Sequence, residues 1–220
     1  MIDALDLVLR KVFLSHVPDL ADSRIGFQPP NEAWRQLVNG APTHMHLNCY
    51  LVELREDRRL RQNVRERETS GPQITRGRAP VQVRCQYLVS AWHGSPNSLQ
   101  MPATEHEHAT LGAVMSALLA VSPLVPSALL TPDELKGVPE TLRERALAVE
   151  LLPPEGFPKL AEFWGTMGRP TAWRPVVPFA ITAPVHLPGT PAGEPVRSVA
   201  ASYEVLPDGP AEVLGLRSAP

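Results

Sequence analysis

The sequence predicts an α+β fold: a twisted, mainly antiparallel sheet built on one long hairpin, with helices packed on it. Three observations carry the prediction. Residues 44–54 and 81–91 alternate apolar and polar side chains with a period of two, the mark of strands with one face buried. Residues 2–16 and 104–119 instead repeat their apolar residues at helical spacing. The connection between the two long strands, residues 55–79, is far longer than an ordinary hairpin loop and rich in arginine.

In the first strand Met45, Leu47, Cys49 and Leu51 form the inward row, while His44, His46 and Asn48 point the other way. In the second, Val83, Cys85, Tyr87 and Val89 form the matching row. Antiparallel pairing with Leu54 opposite Pro80 sets Leu51 against Val83, Cys49 against Cys85, Leu47 against Tyr87 and Met45 against Val89. Every odd residue then shares one buried face, the condition that fixes register. With that register a Cys49–Cys85 bridge is geometrically possible, but so few cysteines in a chain of this length predict a reduced pair.

Taken in order, Ile2, Leu5, Val8, Leu9, Val12 and Phe13 predict an amphipathic helix over 2–16, with Asp3 and Asp6 near its N-terminus and Pro18 ending it. A short strand at 24–28 stops at Pro29-Pro30, and a helical turn over 32–38 leads through Gly40 and Pro42 into the hairpin. Residues 55–79 are expected to be an exposed loop, or a solvated helical extension with weak Glu–Arg pairs. After a loop over 94–102, Thr104-Glu105-His106-Glu107 reads as a capping box. Behind it Leu111, Val114, Met115, Leu118 and Leu119 form an apolar stripe, and Pro123 stops the run. This helix should cover Leu47, Cys85 and their neighbours, contributing on the order of 10 kcal/mol from five buried side chains before entropy is counted.

Thr131-Pro132-Asp133-Glu134 opens a second, short helix before Gly137. A strand over 145–152 and a short helix over 158–167, closed by Gly168, follow. Residues 171–187 read as extended, and Pro175, Pro178 and Pro184 place them at a sheet edge, because proline donates no ladder hydrogen bond. The chain from 188 on is rich in proline and glycine, with one alternating stretch over 199–205.

With 220 residues, 43% of them hydrophobic, the chain can bury one sizeable core. The formal charge of −2 exerts no global pull towards nucleic acid or acidic membranes, so any electrostatic role is local. No signal-peptide pattern opens the sequence and no apolar run approaches ~18 residues, which predicts synthesis in the cytoplasm and no membrane span. Of the 21 basic residues 18 are arginine, whose planar forks suit interfaces.

Chemistry-bearing motifs are sparse. His44 and His46 share a strand face at a spacing that can chelate zinc, which leaves a small metal-dependent hydrolase as one alternative. His106 and His108, however, are about 200° apart on a helix and do not converge on one ion. No nucleophile elbow, phosphate loop or activated cysteine is present, so no catalytic, cofactor-binding or metal-binding residue is assigned and no enzyme or cofactor is expected. The candidate contact residues are Arg55, Arg58, Arg59, Arg61, Arg65, Arg67, Arg76 and Arg78. Glu56, Asp57, Glu66 and Glu68 are interleaved with them, and no aromatic residue is available for base stacking. A nucleic-acid adaptor using residues 55–78 is the second alternative, and a protein–protein contact is favoured over it.

Ordered motifs along the chain resemble a known family. They are the opening Ile2-Asp3-Ala4-Leu5-Asp6 helix, Phe27-Gln28-Pro29-Pro30, and the run from His46 through Glu53-Leu54-Arg55-Glu56-Asp57 with Arg59-Leu60-Arg61-Gln62-Asn63. Tyr87-Leu88-Val89-Ser90-Ala91-Trp92, the helix from Glu105 to Leu119, and Leu160-Ala161-Glu162-Phe163-Trp164-Gly165 follow. Together they resemble the N-terminal domain of cap, or tail-terminator, proteins of phage-tail-like contractile injection systems. The resemblance spans residues 1–187 and implies a terminator-like α/β domain there; the Pro/Gly-rich tail over 188–220, read from composition, lies outside it. It also implies a structural cap that forms a homohexameric ring, ends the inner tube and anchors the last sheath layer. The partners implied are the chain itself, the tube protein and the sheath protein, within the injection particle. No small-molecule substrate is implied.

Overall fold

The structure is a computed structural model and describes residues 1–41, 43–62, 64–70, 73–94, 100–151, 160–167, 174–191, 199–202 and 213–216. Pro42, Leu152, Pro158, Gly168, Thr171 and residues 203–205, on which several sequence expectations fall, lie outside the described residues, as does most of the tail. The chain divides into two compact units, Met1–Arg61 with Pro80–Val185, and Gln62–Ala79 with His186–Pro220.

The elements of the first unit are α1 (Ile2–His16), β1 (Ile25–Gly26), α2 (Glu32–Asn39) and β2 (Met45–Glu56). Those of the second that come next are β3 (Arg65–Ser70) and β4 (Gln73–Arg78). The first unit resumes with β5 (Val81–His93), α3 (Gln100–Ala120), α4 (Pro126–Leu129), α5 (Pro132–Leu135), α6 (Glu140–Arg143), β6 (Ala148–Leu151), α7 (Leu160–Thr166) and β7 (Val177–Val185). The second ends with β8 (Thr190–Pro191), β9 (Val199–Ser202) and β10 (Val213–Leu216). The main sheet runs β1-β2-β5-β7-β6; only the β1–β2 pair is parallel. In the second unit β3, β4 and β8 form one sheet and β9 pairs with β10.

The central pair is β2–β5, but its register differs from the expected one. Met45 pairs with His93, Leu47 with Ala91, Cys49 with Val89 and Leu51 with Tyr87. Each strand runs two residues further than expected at its C-terminal end, and the pairing slides by four residues. An even slide leaves the same side chains on the same face, so the apolar pattern alone does not distinguish the two registers. A bulge between Leu51 and Glu53 then shifts the pairing by one, setting Leu54 against Cys85. Cys49 and Cys85 are therefore not opposite one another; both are buried free thiols, and burial pushes the Cys85 thiol up to about 11.

The odd-numbered face carries Leu47, Cys49, Cys85, Tyr87, Val89 and Ala91, continued on β7 by Val177, Phe179, Ile181 and Ala183. Tyr87 and Phe179 are cross-strand partners with stacked rings 5.2 Å apart. Helix α1 covers this face with Leu5, Val8, Leu9, Val12 and Phe13, and α3 with Leu111, Val114, Ala117 and Leu118. The α3 stripe is narrower than expected: Met115 is 37% and Leu119 63% exposed. Burying the three large side chains Leu111, Val114 and Leu118 is worth about 6 kcal/mol before entropy, below the five-residue expectation. The Thr131–Glu134 capping box of α5 is present, and Lys11 of α1 reaches Glu134 at 2.6 Å.

The opposite face, expected to be polar, is also buried at its β1 end. Every residue of β5 from Arg84 to Trp92 is buried. Trp34 and Val38 of α2, Trp92 of β5 and Trp164 of α7 pack together there, with Trp92 6.5 Å from Trp34 and 6.3 Å from Trp164. Asn31 caps α2 by accepting from the Ala33 and Trp34 amides. Glycine is required at position 26, where a Cβ would sit 2.4 Å from the Trp34 ring. The sequence gives no periodic signal for this layer because its tryptophans come from three separate elements.

Two further expectations change. Helix α3 starts at Gln100, so Thr104 is inside it and its capping box with Glu107 is not the helix start. Glu107 Oε1 instead accepts from the His93 amide at 3.0 Å and from the Arg174 guanidinium at 2.7 Å. Arg174 in turn lies over the Trp92 ring, 4.2 Å from its centroid, and the Trp92 indole N–H donates to Ser90 at 2.8 Å. The proline-bearing strand β7 is not an edge strand but lies between β5 and β6. Its prolines are tolerated because β6 pairs only with Phe179 to Thr182, leaving Pro178 and Pro184 without a β6 partner on that flank.

Two stability predictions follow from these contacts. Asp6 of α1 accepts a hydrogen bond from the Tyr87 hydroxyl at 3.3 Å, and burial raises its carboxyl from 3.8 to about 6. The folded state therefore holds a proton that the unfolded chain has released between those values, and stability falls as pH rises through that window. Asp6→Asn keeps the acceptor and removes the buried charge. It should raise the thermal midpoint at about pH 8, by the equivalent of about 1 kcal/mol after solvent discounting, and have little effect at about pH 4. Arg174→Met strands the Glu107 carboxylate, which is 12% exposed, and should cost about 2 kcal/mol in chemical denaturation. Adding Glu107→Gln to that variant should recover part of the loss, which a double-mutant cycle reads directly.

Candidate assembly interface

The eight arginines singled out in the sequence do not form one exposed loop. Arg55 is the penultimate residue of β2, Arg58 and Arg59 are in a 3-10 turn over Arg58–Leu60, and Arg61 follows it, all in the first unit. Arg65 and Arg67 are on β3, and Arg76 and Arg78 on β4, in the second. Among the described residues of this stretch no helical extension forms; they make a turn followed by two paired strands.

In the first unit the turn hangs on the start of β5. The Asp57 amide donates to the Gln82 carbonyl at 2.8 Å, and the Asp57 carboxylate accepts from the Arg59 amide at 3.0 Å. The Arg61 guanidinium grips Glu56 with two bonds of 2.7 and 2.6 Å, a fork that holds the Glu56 carboxyl below its usual range. Arg55 pairs across the sheet with Arg84, and Arg84, which is buried, reaches Glu150 of β6 at 2.9 Å. Arg55, Glu56, Asp57, Arg58, Arg59 and Arg84 line a concavity of about 580 Å³. A second of about 320 Å³ lies against Asp57, Arg59, Gln82, Arg145, Glu150 and Thr182. Arg58 and Arg59 are exposed and make no side-chain hydrogen bond or ion pair among the described residues. Their forks are ready for carboxylates or phosphates arriving from outside.

Arg84 and Arg145 escaped the sequence reading. The one signal for Arg84 is a charged residue set in a run of otherwise packable strand residues, Val81 to Ala91.

In the second unit, β3 and β4 pair in an unbroken antiparallel register from Arg65–Arg78 to Ser70–Gln73, and the Ala79 amide closes the base on the Val64 carbonyl at 3.1 Å. Strand β8 joins β4 at Thr75 and Arg76.

The histidines are dispersed in role. His46 is buried with its ring edge-on to Trp34 at 6.1 Å, its Nδ1 3.2 Å from the His44 carbonyl, and burial holds its imidazole below the usual range. His44 is exposed and lines a pocket of about 360 Å³ with His93 and His106. Among the described residues no group of three or more His, Cys, Asp or Glu side chains is placed to hold a metal ion, and no helix is long and apolar enough to cross a membrane.

Two solved structures share this fold. One is the sheath/tube terminator, in its extended state, of an extracellular contractile injection system called PVC. It has a TM-score of 0.63 and 19% identity, and the match covers 96% of this chain and 65% of that one. The other is the tube-terminating cap of the anti-feeding prophage, with a TM-score of 0.60 and 18% identity, covering 92% of this chain and 61% of that one. This chain thus spans less than two thirds of either protein's length. No curated protein matches the sequence. The family described as the Pvc16 N-terminal domain matches residues 4–198, nearly the whole chain, and to that family this chain belongs.

Proposed function

We propose that this chain is a structural, non-enzymatic subunit of the cap of a phage-tail-like contractile injection particle, ending the inner tube and anchoring the last sheath layer. The observation that carries this reading is membership of the Pvc16 N-terminal domain family over residues 4–198, supported by a fold shared with a sheath/tube terminator and with a tube-terminating cap. In this reading the chain is made in the cytoplasm and incorporated in the particle as a homohexameric ring, with the inner tube protein and the sheath protein as its partners. Residues 1–187 act as the terminator domain and 188–220 as its Pro/Gly-rich tail. The arginines Arg55, Arg58, Arg59, Arg61, Arg65, Arg67, Arg76 and Arg78 are its contact residues.

The exposed turn supplies the test. Arg58, Arg59 and Arg61 are exposed, so truncating them opens no buried cavity. Replacing all three with Ala should leave the thermal midpoint within about 2 °C of the parent. The same variant should reduce the fraction of capped, full-length particles by at least about tenfold, since each lost charge-assisted bond is worth roughly 1.5–3 kcal/mol. Normally capped particles built with the triple variant would contradict the assignment of these residues.

A further inference from the structure

We infer that the β3–β4 hairpin is a two-faced, self-complementary contact through which one copy of this chain binds the next. The inference rests on the ring-forming reading above and assigns its surface. In sequence, Glu66 and Glu68 are interleaved with Arg65 and Arg67 and look neutralising. The hairpin register separates them. Arg65 pairs with Arg78 and Arg67 with Arg76, while Glu66 pairs with Gly77 and Glu68 with Thr75. Paired residues share a face and successive residues alternate. Positions 65, 67, 76 and 78 therefore occupy one face, arginine at every one. Positions 66, 68, 75 and 77 occupy the other, with two glutamates and no base.

Two neighbouring cross-strand pairs of like charge destabilise an isolated hairpin. An anionic surface covering it would relieve that repulsion, and a matching one is on the back of the same hairpin. Glu66 and Glu68 repeat at the same two-residue spacing as Arg65 and Arg67, about 7 Å along a strand. Stacking the acidic face of one hairpin on the arginine face of the next brings the two rows into step, each carboxylate meeting a guanidinium fork. The two faces differ, so the contact is head-to-tail, the class that closes into rings when its rotation permits. A nucleic acid would use the arginine face alone, would be indifferent to Glu66 and Glu68, and would find no aromatic residue between positions 65 and 78 on which to stack a base.

The test uses the full chain in two charge variants, followed by light scattering over rising concentration and salt. Arg65, Arg67, Arg76 and Arg78 all changed to Glu make both faces acidic; Glu66→Arg with Glu68→Arg makes both basic. The parent should self-associate at low ionic strength and dissociate as salt rises. Each variant alone should associate at least about tenfold more weakly, and an equimolar mixture of the two should recover association. If the quadruple variant does not fold, Arg65→Glu with Arg67→Glu, which pairs internally with Arg76 and Arg78, should fold and likewise lose self-association. A parent that is monomeric at every concentration and salt, variants that associate like the parent, or a mixture no better than its components would each overturn the inference. So would oligodeoxythymidylate binding unchanged by Glu66→Arg/Glu68→Arg in a chain that does not self-associate. None of these results touches the cap reading, which is read separately from the chain's presence at the particle end.

Discussion

The fold depends on the burial of one strand on both faces and both edges. β5 is hydrogen-bonded to β2 on one side and β7 on the other, and nine successive residues, Arg84 to Trp92, are withdrawn from solvent. Its odd residues complete the core under α1 and α3, and its even residues at one end enter the tryptophan layer of α2 and α7. Beyond Leu88 the even face carries buried Gln86 and then buried Arg84, which is held by Glu150. There the Asp57–Gln82 hydrogen bond fastens the arginine turn to the strand's first residues. The charged concavity thus includes Arg84, a residue of the strand that is buried on both faces.

Much of this was legible in the sequence. Helix α1, the α2 turn, the long strands, the α5 capping box and the inward identity of Leu47, Cys49, Cys85 and Tyr87 all follow from local periodicity. The features that differed depend on partners distant in sequence. The β2–β5 slide is by an even number of residues, so hydrophobic parity is blind to it, and the bulge near Val52 has no glycine or proline to announce it. Thr104 and Glu107 have the capping-box spacing, yet Glu107 is taken by His93 and Arg174, 14 and 67 residues away. The prolines of β7 are legible as a ladder constraint, but not the shortness of β6 that satisfies it.

The arginines illustrate the same limit at the candidate interface. The sequence shows eight of them in one charged stretch between two strands, with acids between. The fold divides them between a segment whose Arg55, Arg58 and Arg59 line a concavity and a hairpin whose register sets Arg65 against Arg78 and Arg67 against Arg76. Charge in this chain is local: a formal total of −2 conceals two cross-strand arginine pairs, Arg65–Arg78 and Arg67–Arg76, in one hairpin. Clustered charge of this kind suits electrostatic contact with other macromolecules. That agrees with the family to which it belongs and with the terminators whose fold it shares.

The central claim is positional, and the most direct measurement is to locate the chain on purified particles by cryo-electron microscopy, using an epitope tag and labelled antibody. Label should be confined to one end of each tube, at the end of the sheath, with density there for a homohexameric ring. Label spread along the tube, label at the opposite end, or particles with complete ends and no copy of this chain would contradict it.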